Sequence, residues 1–251
     1  MLAHDLALAL DPARFMERLG LPPDPWQENV LRRDPSRALL LCGRQVGKST
    51  VAAVRALHRA LYRAPALVLL LSPALRQSGE LFRATMGLYH KLQDPVPAEE
   101  ESALRIRFAN GSRIISLPGQ EQTVRGFAGV DLLVIDEASR VPDELYFAVR
   151  PMLAVSGGSL LALTTPFGKR GFFFHEWTEG GPQWERVKVP ATECSRIPAA
   201  LLEQERASLG DWWYRQEYLC DFCDTVDQVF SFEHVMGALD ESVKPLFGGG
   251  V

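Results

Sequence analysis

Short, almost continuous apolar runs alternate with longer stretches of helical period along this chain. Residues 38–42, 66–71, 131–135 and 160–163 are apolar at nearly every position. That pattern predicts strands buried on both faces. The segments between them predict helices at 48–63, 74–93 and 143–155, with Glu185 to Val189 as the last main strand. Such an alternation predicts an α/β fold with a mainly parallel central sheet flanked by helices. Two start signals precede the first strand: Asp11-Pro12 and Asp24-Pro25, with Gly20 closing the first helix. Arg105-Ile106-Arg107-Phe108 and Arg113-Ile114-Ile115-Ser116 alternate around Asn110-Gly111, which predicts a hairpin. Residues 199–222 predict two short helices, and the pattern changes character near Pro198. The expected division is a core domain over 1–197 and a small helical lid subdomain, running into a linker, over 198–247.

Composition narrows the class. A chain of 251 residues buries a full core as one large domain with a small appendage. No apolar stretch approaches the ~18 residues that span a membrane, and the N-terminus lacks a secretory signature. Cys220 and Cys223 have no second pair to complete a zinc site, so reduced thiols on one helix are expected. The net charge of −4 hides an asymmetry: residues 31–64 carry +7 and residues 199–243 carry −8. This suits a polyanion on one side and a basic partner on the other, or two solvated faces of opposite sign.

The candidate chemistry follows the first strand. Gly43-Arg44-Gln45-Val46-Gly47-Lys48-Ser49-Thr50 has the residues of a phosphate loop. Backbone N–H groups and a helix N-terminus cradle phosphates, Lys48 reaches the terminal ones, and Ser49 ligates magnesium. The position five residues before Gly47 usually holds glycine and here holds Cys42, while Arg44 adds a second cation. Asp136 and Glu137 end the strand 131–135, where Asp136 would hold the metal and Glu137 would orient and deprotonate the attacking water. Thr164 and Thr165 end the next strand and suit sensing of the terminal phosphate, or simple capping of the strand. Gln27 can donate and accept at once, which favours adenine and hence ATP with Mg2+. Arg44 in cis, Arg140, or Arg125 would stabilise the developing charge.

These motifs, with Pro25-Trp26-Gln27, Val124-Arg125-Gly126, Thr164-Thr165-Pro166 and Arg215-Gln216-Glu217-Tyr218-Leu219, resemble the large terminase subunit of tailed bacteriophages. The resemblance covers most of the chain in order. It implies a RecA-like ASCE P-loop NTPase, a motor that pumps double-stranded DNA into a procapsid. The implied partners are the portal protein, the small terminase subunit and further copies in a ring, pentameric by the resemblance. The implied setting is the host cytoplasm, without a membrane. It also implies that strand 159–163 lies between the phosphate-loop strand and the Asp136 strand, and that Arg140 reaches a neighbour's ATP. About thirty residues follow Cys220, too few for the family's nuclease domain, so no DNA cleavage is expected of this chain. Arg105, Arg107 and Arg113, or Arg32, Arg33, Arg55 and Arg59, are the candidate DNA-phosphate contacts. Two rival readings share the motifs: half of a superfamily-2 helicase, and a nucleotide-gated assembly module.

Overall fold

A computed structural model describes residues 2–118 and 126–224, together with 234, 237 and 238. Three helices open the chain: α1 (Leu2–Leu10), α2 (Pro12–Arg18) and α3 (Pro25–Arg33). The Asp11 carboxylate caps α2 by accepting from Ala13 N at 3.0 Å and Arg14 N at 3.3 Å. Then come β1 (Arg37–Cys42), α4 (Lys48–Tyr62), β2 (Leu67–Ser72) and α5 (Leu75–Tyr89). The strands β3 (Ala98–Glu101), β4 (Arg105–Phe108), β5 (Arg113–Pro118) and β6 (Leu132–Asp136) follow. The rest comprises α6 (Asp143–Val149), β7 (Ser159–Thr164), α7 (Gly171–Thr178), β8 (Glu185–Val189) and α8 (Ala199–Leu219).

The strands form one sheet in the order β3-β4-β5-β2-β6-β7-β1-β8. The six strands from β5 to β8 are parallel, and β4 and β3 add an antiparallel edge. β7 sits between β6 and β1, as the resemblance implies. Alternate side chains of each central strand enter opposite cores. Ala38, Leu40 and Cys42 pack with α2 to α5 on one face, while Leu39 and Leu41 pack with Tyr146, Phe172 and Phe173 on the other. This two-sided burial explains why these strands read as unbroken apolar runs.

The hairpin forms as expected, with Arg107 opposite Arg113. Three elements are additional: α1, the acidic edge strand β3 and the aromatic α7. The expected pair of helices over 199–222 is α8, broken at Gly210, whose φ of +77° is left-handed. Leu202 and Tyr214 of α8 join the same core as β1. Cys220 and Cys223 lie beyond this helix rather than on it.

An expectation about charge is also overturned. Arg55 and Arg59 are not available to DNA, because both are buried around Asp34. Asp34 takes Arg55 at 2.7 Å, Arg59 at 2.8 Å and Arg63 at 3.0 Å. Arg32 pairs with Asp11 and Arg33 with Glu185. Much of the +7 segment is therefore neutralised within the protein. Burial pushes the Arg55 pKa down, against the pull of Asp34. Asp34 also caps α3 with a left-handed backbone, φ +40°, which asparagine tolerates. Asp34→Asn thus removes the charge and keeps the turn. Leaving two buried guanidiniums without their anion should cost about 3 kcal/mol, read as a lower urea midpoint with an unchanged slope.

Candidate nucleotide site

The loop after β1 is built by close approach. A Cβ on Gly43 would lie 2.9 Å from both Ala191 N and Tyr218 O, so no side chain fits there. Gly43 N donates to Val189 O and Arg44 N to Glu217 O, each at 2.9 Å. These bonds stitch the loop to the end of β8 and to α8. Gln45 (φ +60°) and Gly47 (φ +93°) are left-handed, and a Cβ on Gly47 would meet Gln27 Nε2 at 2.6 Å. Lys48 then begins α4, whose first N–H groups lack intrahelical acceptors and face any anion at the loop. Ser49 and Thr50 lie half-buried in its first turn. Cys42 is fully buried, and its thiol pKa is raised by that burial. It is a core side chain below the loop.

Three strand ends converge here. Lys48 Nζ lies 3.3 Å from Glu137 Oε1, so the loop lysine and the second acid of β6 occupy one site. Glu137 is left-handed (φ +51°), and its N–H donates to Asp136 Oδ1 at 2.9 Å. Burial pushes the Asp136 carboxyl up to about 6, with the Glu137 charge adding and Lys48 opposing. From β7, Thr164 Oγ1 accepts from Ser139 N at 3.3 Å and donates to Thr165 O at 2.7 Å. The turn after Asp136 is thereby tied to the end of β7.

The arginines differ in their placement. Arg44 Nε lies 2.7 Å from Glu217 Oε2, a nearly buried carboxylate on α8. Arg140 is exposed, one turn beyond Glu137, with its guanidinium 3.9 Å from the Phe167 ring centre. Arg125 lies outside the described residues. Arg105, Arg107 and Arg113 share the exposed face of the hairpin, away from the loop's hydrogen bonds. There Arg107 is paired with Glu99 at 3.1 Å and Glu100 at 3.8 Å.

Gln27 is close to the loop but engaged. Its Oε1 accepts from Asp24 N at 2.8 Å and its Nε2 donates to Gly47 O at 3.4 Å. Its amide braces the loop. Sequence reading missed Arg196, whose Nη2 donates to Val46 O at 2.9 Å. No motif marks it, because its partner lies 150 residues earlier.

The donor set suits a hard divalent cation such as magnesium. Ser49 offers a hydroxyl and Asp136 a carboxylate, both oxygen ligands at the carboxyl edge of the sheet. Burial makes the Asp136 charge costly, and a bound cation would offset that cost. For the metal-free protein the sign is fixed by a folded-state pKa above the unfolded value. The folded carboxylate is penalised above pH ~6 and relieved as it protonates. Asp136→Asn should therefore raise the melting temperature at pH 8, and the gain should vanish near pH 4.

Residues 39–235 match the family model described as terminase large subunit, T4likevirus-type, N-terminal. The terminase large subunit of Thermus virus P23-45 is 25% identical over 254 residues, covering 87% of this chain and 52% of its own length. That of Escherichia phage T5 is 25% identical over 228 residues, covering 88% of this chain and 51% of its own. The chain thus spans about half the length of the curated relatives it matches. Among solved structures, the large terminase ATPase domain of Thermus phage P74-26 superposes with a TM-score of 0.70 at 23% identity, covering 84% of this chain and 98% of that one. The HK97 bacteriophage large terminase gives 0.68 at 15% identity, covering 86% and 55%. Both share the fold, a RecA-like mixed α/β domain with a mostly parallel sheet. By the match across 39–235, this chain belongs to the family of terminase large subunit N-terminal domains.

Proposed function

We propose that this chain is an ATP-hydrolysing motor domain that drives double-stranded viral DNA into a procapsid. The observation that carries the reading is the meeting of Lys48 and Glu137 at 3.3 Å, beside Asp136 and the Thr164 strand end. Phosphoryl transfer asks a protein for positioning and for charge stabilisation. The loop N–H groups and Lys48 bind the triphosphate. Ser49 and Asp136 would hold Mg2+, which would supply charge neutralisation on the phosphate oxygens. Glu137 takes a proton from the attacking water, and its pairing with Lys48 holds its carboxylate at the site. Gly43, Gln45, Val46, Gly47 and Thr50 shape the cradle, with Gln27 behind it. Arg44 supplies a cation in cis. Arg140 is exposed on the rim and suits delivery to a neighbouring subunit's ATP.

The coupling route runs through Thr164 and Thr165, because Thr164 holds the turn carrying Glu137 and Arg140. Residues 198–224 act as the lid, joined to the loop by the Arg44–Glu217 pair and the Arg44 N–Glu217 O bond. DNA, the portal protein, the small terminase subunit and a homo-oligomeric ring are the partners, in the host cytoplasm. Arg105 and Arg113, with Arg107 partly neutralised by β3, are the DNA-phosphate contacts, reading backbone charge and no base sequence.

Glu137→Ala should bind ATP with near wild-type affinity and hydrolyse it at least about 10²-fold more slowly. Wild-type turnover in a steady-state assay would remove Glu137 from that role. Mixing Arg140→Ala with Glu137→Ala should restore part of the activity, since each subunit supplies what its neighbour lacks. Mixtures that co-assemble by light scattering yet show no recovery would place Arg140's action in cis.

A further inference from the structure

The loop between β1 and α4 has a backbone shape suited to an anion. Gln45 at φ +60° and Gly47 at φ +93° flank Val46. A left-handed backbone at a non-glycine residue is strained and persists only where its surroundings enforce it. Alternating backbone hand turns successive N–H groups toward one side of a chain, which makes an anion-binding concavity. The carbonyls must then be kept from that side.

Two of those carbonyls are held by side chains. Arg196 Nη2 donates to Val46 O at 2.9 Å, and Gln27 Nε2 donates to Gly47 O at 3.4 Å. The holders are joined to each other. The same Arg196 Nη2 donates to Asp24 Oδ2 at 2.6 Å, and Asp24 N donates to Gln27 Oε1 at 2.8 Å. Asp24, Gln27 and Arg196 thus close a circuit of hydrogen bonds on the carbonyl side of the loop. We propose that Arg196 is a nucleotide-positioning residue: it draws the Val46 carbonyl away from the bound triphosphate and keeps the loop N–H groups aimed at it.

A purely structural role fits the exposure less well. The Arg196 side chain is 54% exposed, and ion pairs at such positions add little to folding stability. Its value lies in the loop it restrains. Arg196 also neutralises Asp24, whose backbone N–H is bonded to Gln27, the other holder of the loop. Removing the arginine frees the Val46 carbonyl and bares that negative charge, and both effects oppose a triphosphate.

The inference rests on the reading of the loop as a triphosphate site, and the experiment separates the two. Binding of ATP with Mg2+ is titrated calorimetrically against the whole chain, with steady-state hydrolysis in parallel. Arg196→Ala should weaken binding about tenfold, a loss in the range of one charge-assisted hydrogen bond. KM should rise with it, while kcat and the unfolding midpoint move far less. Arg196→Lys should recover part of the affinity, because an ammonium can donate to both oxygens. Adding Asp24→Asn to Arg196→Ala should also recover part of it by removing the bared charge. Affinity of Arg196→Ala within twofold of wild type would overturn the inference while leaving the triphosphate site intact. Absence of ATP binding by the wild-type chain would overturn both.

Discussion

Parallel strands share a register imposed by their backbone hydrogen bonds, and here β7 is registered against β1 on one side and β6 on the other. Leu41 lies beside Thr164, and Leu163 lies beside Asp136. Neighbouring strands are about 4.8 Å apart, so the ends of three strands fall within about 10 Å. One carries the glycine-bearing loop 43–50, one the two acids and one the threonine hydroxyl. The Lys48–Glu137 contact is a consequence of that spacing. Had β7 been placed at an edge, β1 and β6 would be direct neighbours, and the hydroxyl of Thr164 would not reach Ser139 N.

The register fixes where groups stand, and burial decides what they are worth. Asp136 is nearly fully buried at the strand end, so its charge is disfavoured. Arg55 and Arg59 show the opposite solution: buried cations are compensated permanently by Asp34. The first arrangement fits the cation-holding role proposed for Asp136. The second leaves nothing for a ligand, and so belongs to the fold.

Legibility follows the same division. The central strands were readable because burial on both faces leaves no polar alternation to confuse the pattern. The hairpin was readable because Asn110-Gly111 supplies turn chemistry locally. β3 was not, since Ala98-Glu99-Glu100-Glu101 has poor strand propensity and pairs because β4 offers an edge and Arg107 offers a counter-charge. Nor was α7, whose Phe172-Phe173-Phe174 run has no clear helical period and acquires its conformation by packing against Tyr146 and Phe222. The arginines were the hardest. Arg32, Arg33, Arg55 and Arg59 look alike in one dimension, and only their neighbours separate buried from exposed.

The order of residues alone determined the glycine-bearing loop after β1, the acid pair at Asp136 and Glu137 and the alternation of strand and helix. Each of these depends on residues close in sequence, through backbone geometry and burial period. Tertiary structure decided which groups meet across long separations. Arg44 is bound to Glu217, Arg196 to Val46, and Arg55 and Arg59 to an aspartate that one helix end turns inward. A charged side chain has no preferred partner until the chain is folded, because its energy depends on distance and local dielectric, and neither is written in the sequence.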